Sequence, residues 1–224
     1  MTAFEELKDM LPSRPVFEIS FTEENVSYLN SKIGGSFFWP DKCVPELKFL
    51  AQINLSELPA NDIFPKDGLL QFFIKDDACY GLFDEGVNHL VVYHSDTNVG
   101  VEVLQDFPDS PVQRICGMKF VLTEESMSFS DFRFNSYALG FDEDEFDEEL
   151  YELFPGTGSK LLGYPFFTQY DPRKDETYDV LLFQLDSEEG YVMWGDCGVG
   201  NFFIKEEALY NMDFTDVFFS WDCC

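Results

Sequence analysis

Cys197 sits in the glycine-rich run Trp194-Gly-Asp-Cys-Gly-Val-Gly-Asn201, where a tight turn could expose its thiol. Asp196 precedes it and no basic residue adjoins it, and a neighbouring carboxylate raises a thiol pKa, so a catalytic thiolate is disfavoured. Asp186 and Asp196 lie on either side of the short segment 191–194. They could meet as a paired carboxylate or cation site, although aspartates in such turns usually accept backbone N–H bonds. The two histidines, His89 and His94, are five apart in HLVVYH, which puts them on opposite faces of a regular strand and unable to share a metal. The chain holds no HExxH, no CxxC pair, no phosphate-binding glycine loop and no serine elbow. Gly195, Gly198 and Gly200 lack the spacing and following helix of a dinucleotide fingerprint. No cofactor and no metal site are expected. An EF-hand is a poor match to the acidic run DEDEFDEELYEL, which lacks the glycine of the central turn.

The elements that would position these residues are mostly strands. Tyr178 to Leu185 gives the strongest signal, and Asn201 to Ile204 follows beyond the glycine-rich turn. Leu47 to Leu55 and Leu69 to Ile74 form a similar pair in the first half. Val16 to Phe21, Ala78 to Phe83, His89 to His94, Met118 to Leu122 and Val217 to Trp221 are also read as strands. A short helix is expected over residues 4–11. A second is expected over 23–33, capped by Thr22, favoured by Glu23 and Glu24 in its first turn and ended by Gly34-Gly35.

The two strand pairs echo each other. Gln52-Ile53-Asn54 recurs as Gln184-Leu185-Asp186, and Phe72-Phe73-Ile74-Lys75-Asp76 as Phe202-Phe203-Ile204-Lys205-Glu206. Gly35 with Phe37-Phe38 is matched by Gly163 with Phe166-Phe167. Repeats of this kind are sought before single motifs. The expected fold is therefore mainly β (a β-rich α+β chain), with roll-like antiparallel sheets, a pseudo-duplicated β unit and a few peripheral helices. It is read as one domain over 1–224, with related halves at about 30–95 and 160–221. An amide in a strand core must satisfy donor and acceptor, so Gln52 and Gln184 are each expected to bond to the backbone of a neighbouring turn.

Trp39, before Pro40 in a rigid aromatic turn, is either a ligand platform or a core anchor, and buried aromatic area favours the anchor. A groove between the two halves would draw on Trp39, Gln52, Gln184, Asp186, Trp194 and Asp196 as ligand-binding residues. That would make the chain a small-molecule-binding or hydrolytic protein.

The competing reading is a non-enzymatic protein-interaction module. Residues 141–153 read as an acidic helix with a narrow stripe of Phe146, Leu150 and Leu153. Asp142, Glu143, Asp144, Glu145, Asp147, Glu148 and Glu149 would face a basic protein partner, and added salt would weaken such binding. Like charges at this spacing destabilise an isolated helix, so packing would have to hold it.

Composition supports a packed, strongly acidic protein. Of 224 residues 45% are hydrophobic, 26 are Phe, and the formal net charge is -29. A surface of that sign repels phosphate backbones and anionic lipid, which disfavours nucleic-acid and membrane partners. The N-terminal residues lack the basic flank and apolar run of a signal peptide, and no apolar stretch reaches the roughly 18 residues of a membrane span. The six cysteines (43, 79, 116, 197, 223 and 224) show no zinc spacing and are expected as free thiols in a cytoplasmic protein. The residues do not decide the oligomeric state.

The motifs GGSFFWP, LKFLAQINLSELP, GLLQFFI, LLGYP, LLFQLDS and WGDCGVGNFFIKEEAL, in that order over about residues 30–220, resemble the YwqG-like family, also called the DUF1963 domain family. The resemblance implies a β-rich, roll-like single domain with peripheral helices and no established activity. It marks Gly35, Trp39, Pro40, Gln52, Asn54, Gly163, Pro165, Gln184, Asp186, Trp194, Gly195 and Asp196, and carries no catalytic role to any of them. Members often have a longer proline-bearing segment before the Trp-Pro turn than the compact GGSFFWP here.

Overall fold

Phe, Leu, Ile and Val crowd the segments that become strands, and these residues pack well on a pleated surface. In the computed structural model, which describes residues 3–24, 26–41, 43–82, 86–138 and 150–224, they build twelve strands. These are β1 (Ser13–Thr22), β2 (Lys32–Ile33), β3 (Phe37–Trp39), β4 (Lys48–Asn54), β5 (Leu69–Ile74) and β6 (His89–His94). Then follow β7 (Val101–Val103), β8 (Cys116–Ser126), β9 (Lys160–Leu162), β10 (Val180–Asp186), β11 (Val199–Ile204) and β12 (Val217–Asp222). Ten strands share one sheet in the order β12-β11-β10-β9-β1-β8-β2-β4-β5-β6, and β3 pairs with β7 apart from it. All of these pairings are antiparallel. The fold is mainly β, as the strand patterns require.

The long β1–β8 ladder runs from Ser13↔Ser126 to Thr22↔Gly117 and forms the middle of the sheet. On one side of it lie β2, β4, β5 and β6, and on the other β9, β10, β11 and β12. The register slips once in each flank, between Phe49 and Ala51 on β4 and between Leu181 and Phe183 on β10. A bulge adds twist and bends its strand, and here it helps each flank curl towards the other. The sheet nearly closes: His89 Nε2 on β6 lies 2.7 Å from the Val217 carbonyl on β12. Trp221 Nε1, also on β12, donates to the Cys79 carbonyl at 2.7 Å.

Inside the curl, Phe72 of β5 meets Phe183 of β10 at 4.5 Å and Phe202 of β11 at 5.0 Å between ring centroids. All three rings are fully buried, and burial of such a side chain is worth about 1.5–3 kcal/mol. Outside, Phe37, Trp39, Phe49 and Phe73 cluster on one flank, and Phe167, Leu181 and Phe203 on the other. A further cluster joins Leu7 and Leu11, at and just after the helix Ala3–Met10, to Met127, Phe134, Phe154 and Tyr164. Beside it Arg173 bonds Asp131 at 3.0 Å and Asp171 at 2.6 Å, while Arg133 bonds Asp131 at 2.6 Å. Burial pushes the Asp131 carboxyl up, but the two guanidinium groups outweigh it and hold the acid below the usual range.

Two local expectations are corrected, and a third falls mostly outside the described residues. The helix expected over 23–33 does not form; the described residues there make turns that lead into β2. The cause is competition from side chains, since Asn30 Oδ1 accepts from Ser27 N–H and Ser27 Oγ from Leu29 N–H. Residues 78–82 are a turn rather than a strand, because Asp77 Oδ1 takes the N–H groups of Cys79 and Gly81. The acidic run falls mostly outside the described residues: Phe146 and the seven carboxylates from Asp142 to Glu149 all lie there. Residues 150–153 are helical, with Leu150 buried but Leu153 53% exposed, and Phe154 turned inward instead.

Candidate functional site

The side chains with most chemical capacity form two polar nodes, one at each flank. In the first, Gln52 Nε2 donates to the carbonyls of Tyr28 at 3.1 Å and Asn30 at 2.9 Å, and its Oε1 accepts from Gln71 Nε2 at 2.7 Å. Gln71 Nε2 also reaches the Phe38 carbonyl at 2.8 Å, and its Oε1 lies 2.9 Å from His94 Nε2. Burial pulls the His94 pKa down, so the neutral ring donates from Nε2 to that oxygen. Asn54 closes the node: its N–H bonds Ser31 Oγ at 2.8 Å and its Nδ2 bonds the Leu29 carbonyl at 2.9 Å.

In the second node, Gln184 Nε2 donates to the carbonyls of Gly156 and Gly158, both at 2.8 Å, and Oε1 accepts from Phe166 N–H at 2.8 Å. Asn201 Nδ2 donates to the Phe166 carbonyl at 2.9 Å. Asp186 N–H bonds Ser159 Oγ at 3.0 Å, and its Oδ2 accepts from Gly158 N–H at 2.7 Å. Burial raises the Asp186 pKa against the opposing effect of that N–H. Asp222, where β12 ends, is also raised by burial and accepts from the N–H groups of Thr168 and Gln169. The bond from Phe38 in one flank and Phe166 in the other shifts the sequence match by one residue, so that Trp39 rather than Phe38 answers to Phe167.

The six residues read from sequence as ligand-binding are distributed as follows. Gln52 and Gln184 are fully buried and bonded to backbone in separate flanks. Trp39 anchors an outer cluster, donating to the Cys43 carbonyl at 2.9 Å and meeting His94 edge-on at 5.1 Å. Trp194 lies fully buried in the central core, 5.1 Å from Tyr80 and 6.0 Å from Trp221, with its Nε1 unpartnered. Asp186 is half-buried, Asp196 is exposed, and no hydrogen bond joins them. Among the described residues no group of three or more His, Cys, Asp or Glu is placed to hold a metal ion.

Two lysines escaped the sequence reading. Lys32 and Lys160 open β2 and β9 and are 1% and 2% exposed. A Lys beside glycines reads as a surface residue, yet Ser31-Lys-Ile-Gly-Gly35 against Ser159-Lys-Leu-Leu-Gly163 was the signal that could have found them. Lys160 Nζ bonds Glu125 Oε1 and the Gly156 carbonyl, each at 2.7 Å. Lys32 makes no such bond, and burial lowers the pKa of both amines.

Two further features bear on chemistry. A cavity of ≈ 300 Å³ opens beside β1, β9 and β10 and is lined by Arg14, Ile63, Leu162, Val180, Leu209 and Tyr210. Leu162 takes φ 62 at its mouth, where the first flank has Gly34 at φ 60. Exposed Cys197 and Cys224 place their sulfurs 2.9 Å apart, and that shared hydrogen bond pushes the Cys224 thiol up to about 11. Burial pushes Cys116 up to about 12, which leaves its thiol inert.

A family model described as "Domain of unknown function (DUF1963)" matches residues 31–223. The chain belongs to the DUF1963 family. A search of curated proteins finds no match. Within this DUF1963 domain, the family match takes in the bonding side chains of both polar nodes and both buried lysines. No helix among the described residues is long and apolar enough to cross a membrane.

Proposed function

We propose that this DUF1963 chain is a non-enzymatic protein-interaction module that meets a basic protein partner through an acidic surface. One observation carries the reading: 43 carboxylates face 14 lysines and arginines, and seven of those bases are ion-paired within the chain. Arg133, Lys160 and Arg173 are tied to buried or half-buried acids, and Arg114, Lys119 and Lys205 to surface ones. What remains for a partner is an excess of negative charge, to which Asp142, Glu143, Asp144, Glu145, Asp147, Glu148 and Glu149 contribute. A field of that sign steers cationic surfaces and repels nucleic acid.

The supporting architecture is one YwqG-like domain of two related halves about a shared core, working in the cytoplasm with its cysteines reduced. The matched bonds of Gln52 and Gln184, and the matched bulges on β4 and β10, support the two halves. These same bonds support reading the glutamines as parts of the fold. A second reading, small-molecule binding between the halves, draws on the cavity beside Arg14 and Leu162. That cavity offers Arg14 and Tyr210 but none of the six residues named from sequence.

The test is capture of partners from an extract at low and at raised salt. The wild-type chain is compared with a variant whose seven acids between 142 and 149 are changed to Asn or Gln. Partners that release with salt and fail to bind the variant support the reading. A specific partner retained at high salt by the neutralised variant contradicts it.

A further inference from the structure

We propose that Lys32 Nζ and the Ser36 N–H form a binding site for the carboxylate of a small acid. The argument compares the two flanks. In the second, Glu125 Oε1 accepts from Lys160 Nζ at 2.7 Å and Oε2 accepts from Tyr164 N–H at 2.7 Å. Its carboxylate thus bridges a buried ammonium and a backbone amide four residues further on. A Cβ on Gly163 would run into Oε2, so glycine at φ 72 is what lets the carboxylate approach the backbone.

The first flank repeats the cradle without the acid. Lys32 stands for Lys160, Gly35 at φ 74 for Gly163, and Ser36 for Tyr164. Ile33 pairs with Cys116 of β8 just as Leu161 pairs with Phe17 of β1. Counting from those pairs matches Ile115 with Val16. The match is independently visible, since Ile115 Cγ2 and Val16 Cγ2 each lie 3.0 Å from the Cβ position of their glycine. Where the second flank has the Glu125 carboxylate, no acid is bonded to Lys32 among the described residues.

The consequence is an uncompensated cation. Lys32 is 1% exposed, and neither its Nζ nor the Ser36 N–H has a hydrogen-bond partner among the described residues. Nζ has drawn over Gly35, 3.3 Å from where its Cβ would be. Among the described residues the charge that acts on it is exposed Glu102, with which it forms no ion pair. A buried ammonium without a counter-charge is costly, and a carboxylate with a second N–H donor is what relieves it. Half-buried Ser36 gives the way in. The chain's charge of -29 disfavours polyanions, which selects for a ligand bearing a single carboxylate.

The test uses the whole chain and sodium acetate as probe, with sodium chloride at equal ionic strength as control. The Ser36 amide is followed by NMR. It should shift saturably with acetate and not with chloride. Lys32→Met should respond at least about tenfold more weakly, the scale of one charge-assisted bond. An unresponsive Ser36 in wild type, or equal responses in wild type and Lys32→Met, would overturn the proposal.

Discussion

Gln71 Nε2 lies 2.7 Å from Gln52 Oε1, while Asn201, one methylene shorter in the matching place, donates only to the Phe166 carbonyl and leaves its buried Oδ1 unpartnered. The two nodes are therefore unequal in what they lose on substitution. Gln71→Leu strands Gln52 Oε1, the His94 N–H and the Phe38 carbonyl, and each buried orphan costs about 1–3 kcal/mol. Asn201→Leu strands the Phe166 carbonyl alone and removes an orphan. Urea unfolding should show Gln71→Leu as the more destabilised by at least about 1 kcal/mol. An equal or reversed order would mean the bond between the two glutamines is not a stabilising link.

Arg173 is the keystone of the buried ion network with Asp131 and Asp171, and its guanidinium lies 4.3 Å over the Phe203 ring. Arg173→Ala leaves two buried carboxylates short of a partner and is expected to cost about 3–5 kcal/mol. Arg173→Lys should recover little of this, because an ammonium cannot reproduce the fork that engages both acids. Near-wild-type stability of Arg173→Lys in chemical denaturation would refute the bidentate role.

Acid should act on this protein in two stages. Burial holds the folded-state pKa of His94 below its ordinary 6.5, so the neutral ring is favoured in the fold. Its contribution is present above 6.5 and lost as pH falls from there towards the folded value. Asp131 is held below its ordinary 3.8, so its contribution is present above 3.8 and lost as pH falls through the folded value. Burial lowers the His89 pKa in the same way, so stability measured against pH should fall first below about 6.5 through both histidines and again below about 3.8, with His94→Gln reducing the first stage and leaving the second. A first stage unchanged in His94→Gln would exclude this histidine as its source.

Cys197 and Cys224 are exposed and their sulfurs sit at 2.9 Å. Thiol–disulfide exchange with a small oxidised disulfide should join them, each protein sulfur losing its proton while the reagent disulfide is reduced to two thiols. Peptide mapping should return a Cys197–Cys224 crosslink that dithiothreitol reverses. Oxidation that leaves both thiols free, or joins Cys43 instead, would contradict the geometry.

Much of the fold was legible because it depends on pattern. Phe72-Phe73-Ile74 and Phe202-Phe203-Ile204 announce buried strands, and the glutamines within Gln52 and Gln184 strands announce bonds to neighbouring turns. The helix expected over 23–33 failed because propensity and dipole arguments take no account of Ser27 and Asn30 bonding to local backbone. The bulges at Leu50 and Leu182 were invisible, since a local register slip shows only once a partner strand is in place. Lys32 and Lys160 were missed for a related reason. Their burial depends on β1 and β8 crossing between the flanks, a pairing more than eighty residues apart in sequence for Lys32 and Gly117.

The most direct test of a single core shared by two flanks is native-state hydrogen exchange of the Phe72 and Phe202 amides as denaturant is raised. Because Phe72 packs on Phe183 and Phe202, both amides should open only with the whole protein and with the same free energy. Exchange of one through an opening that leaves the other protected would show two separable units and contradict the account.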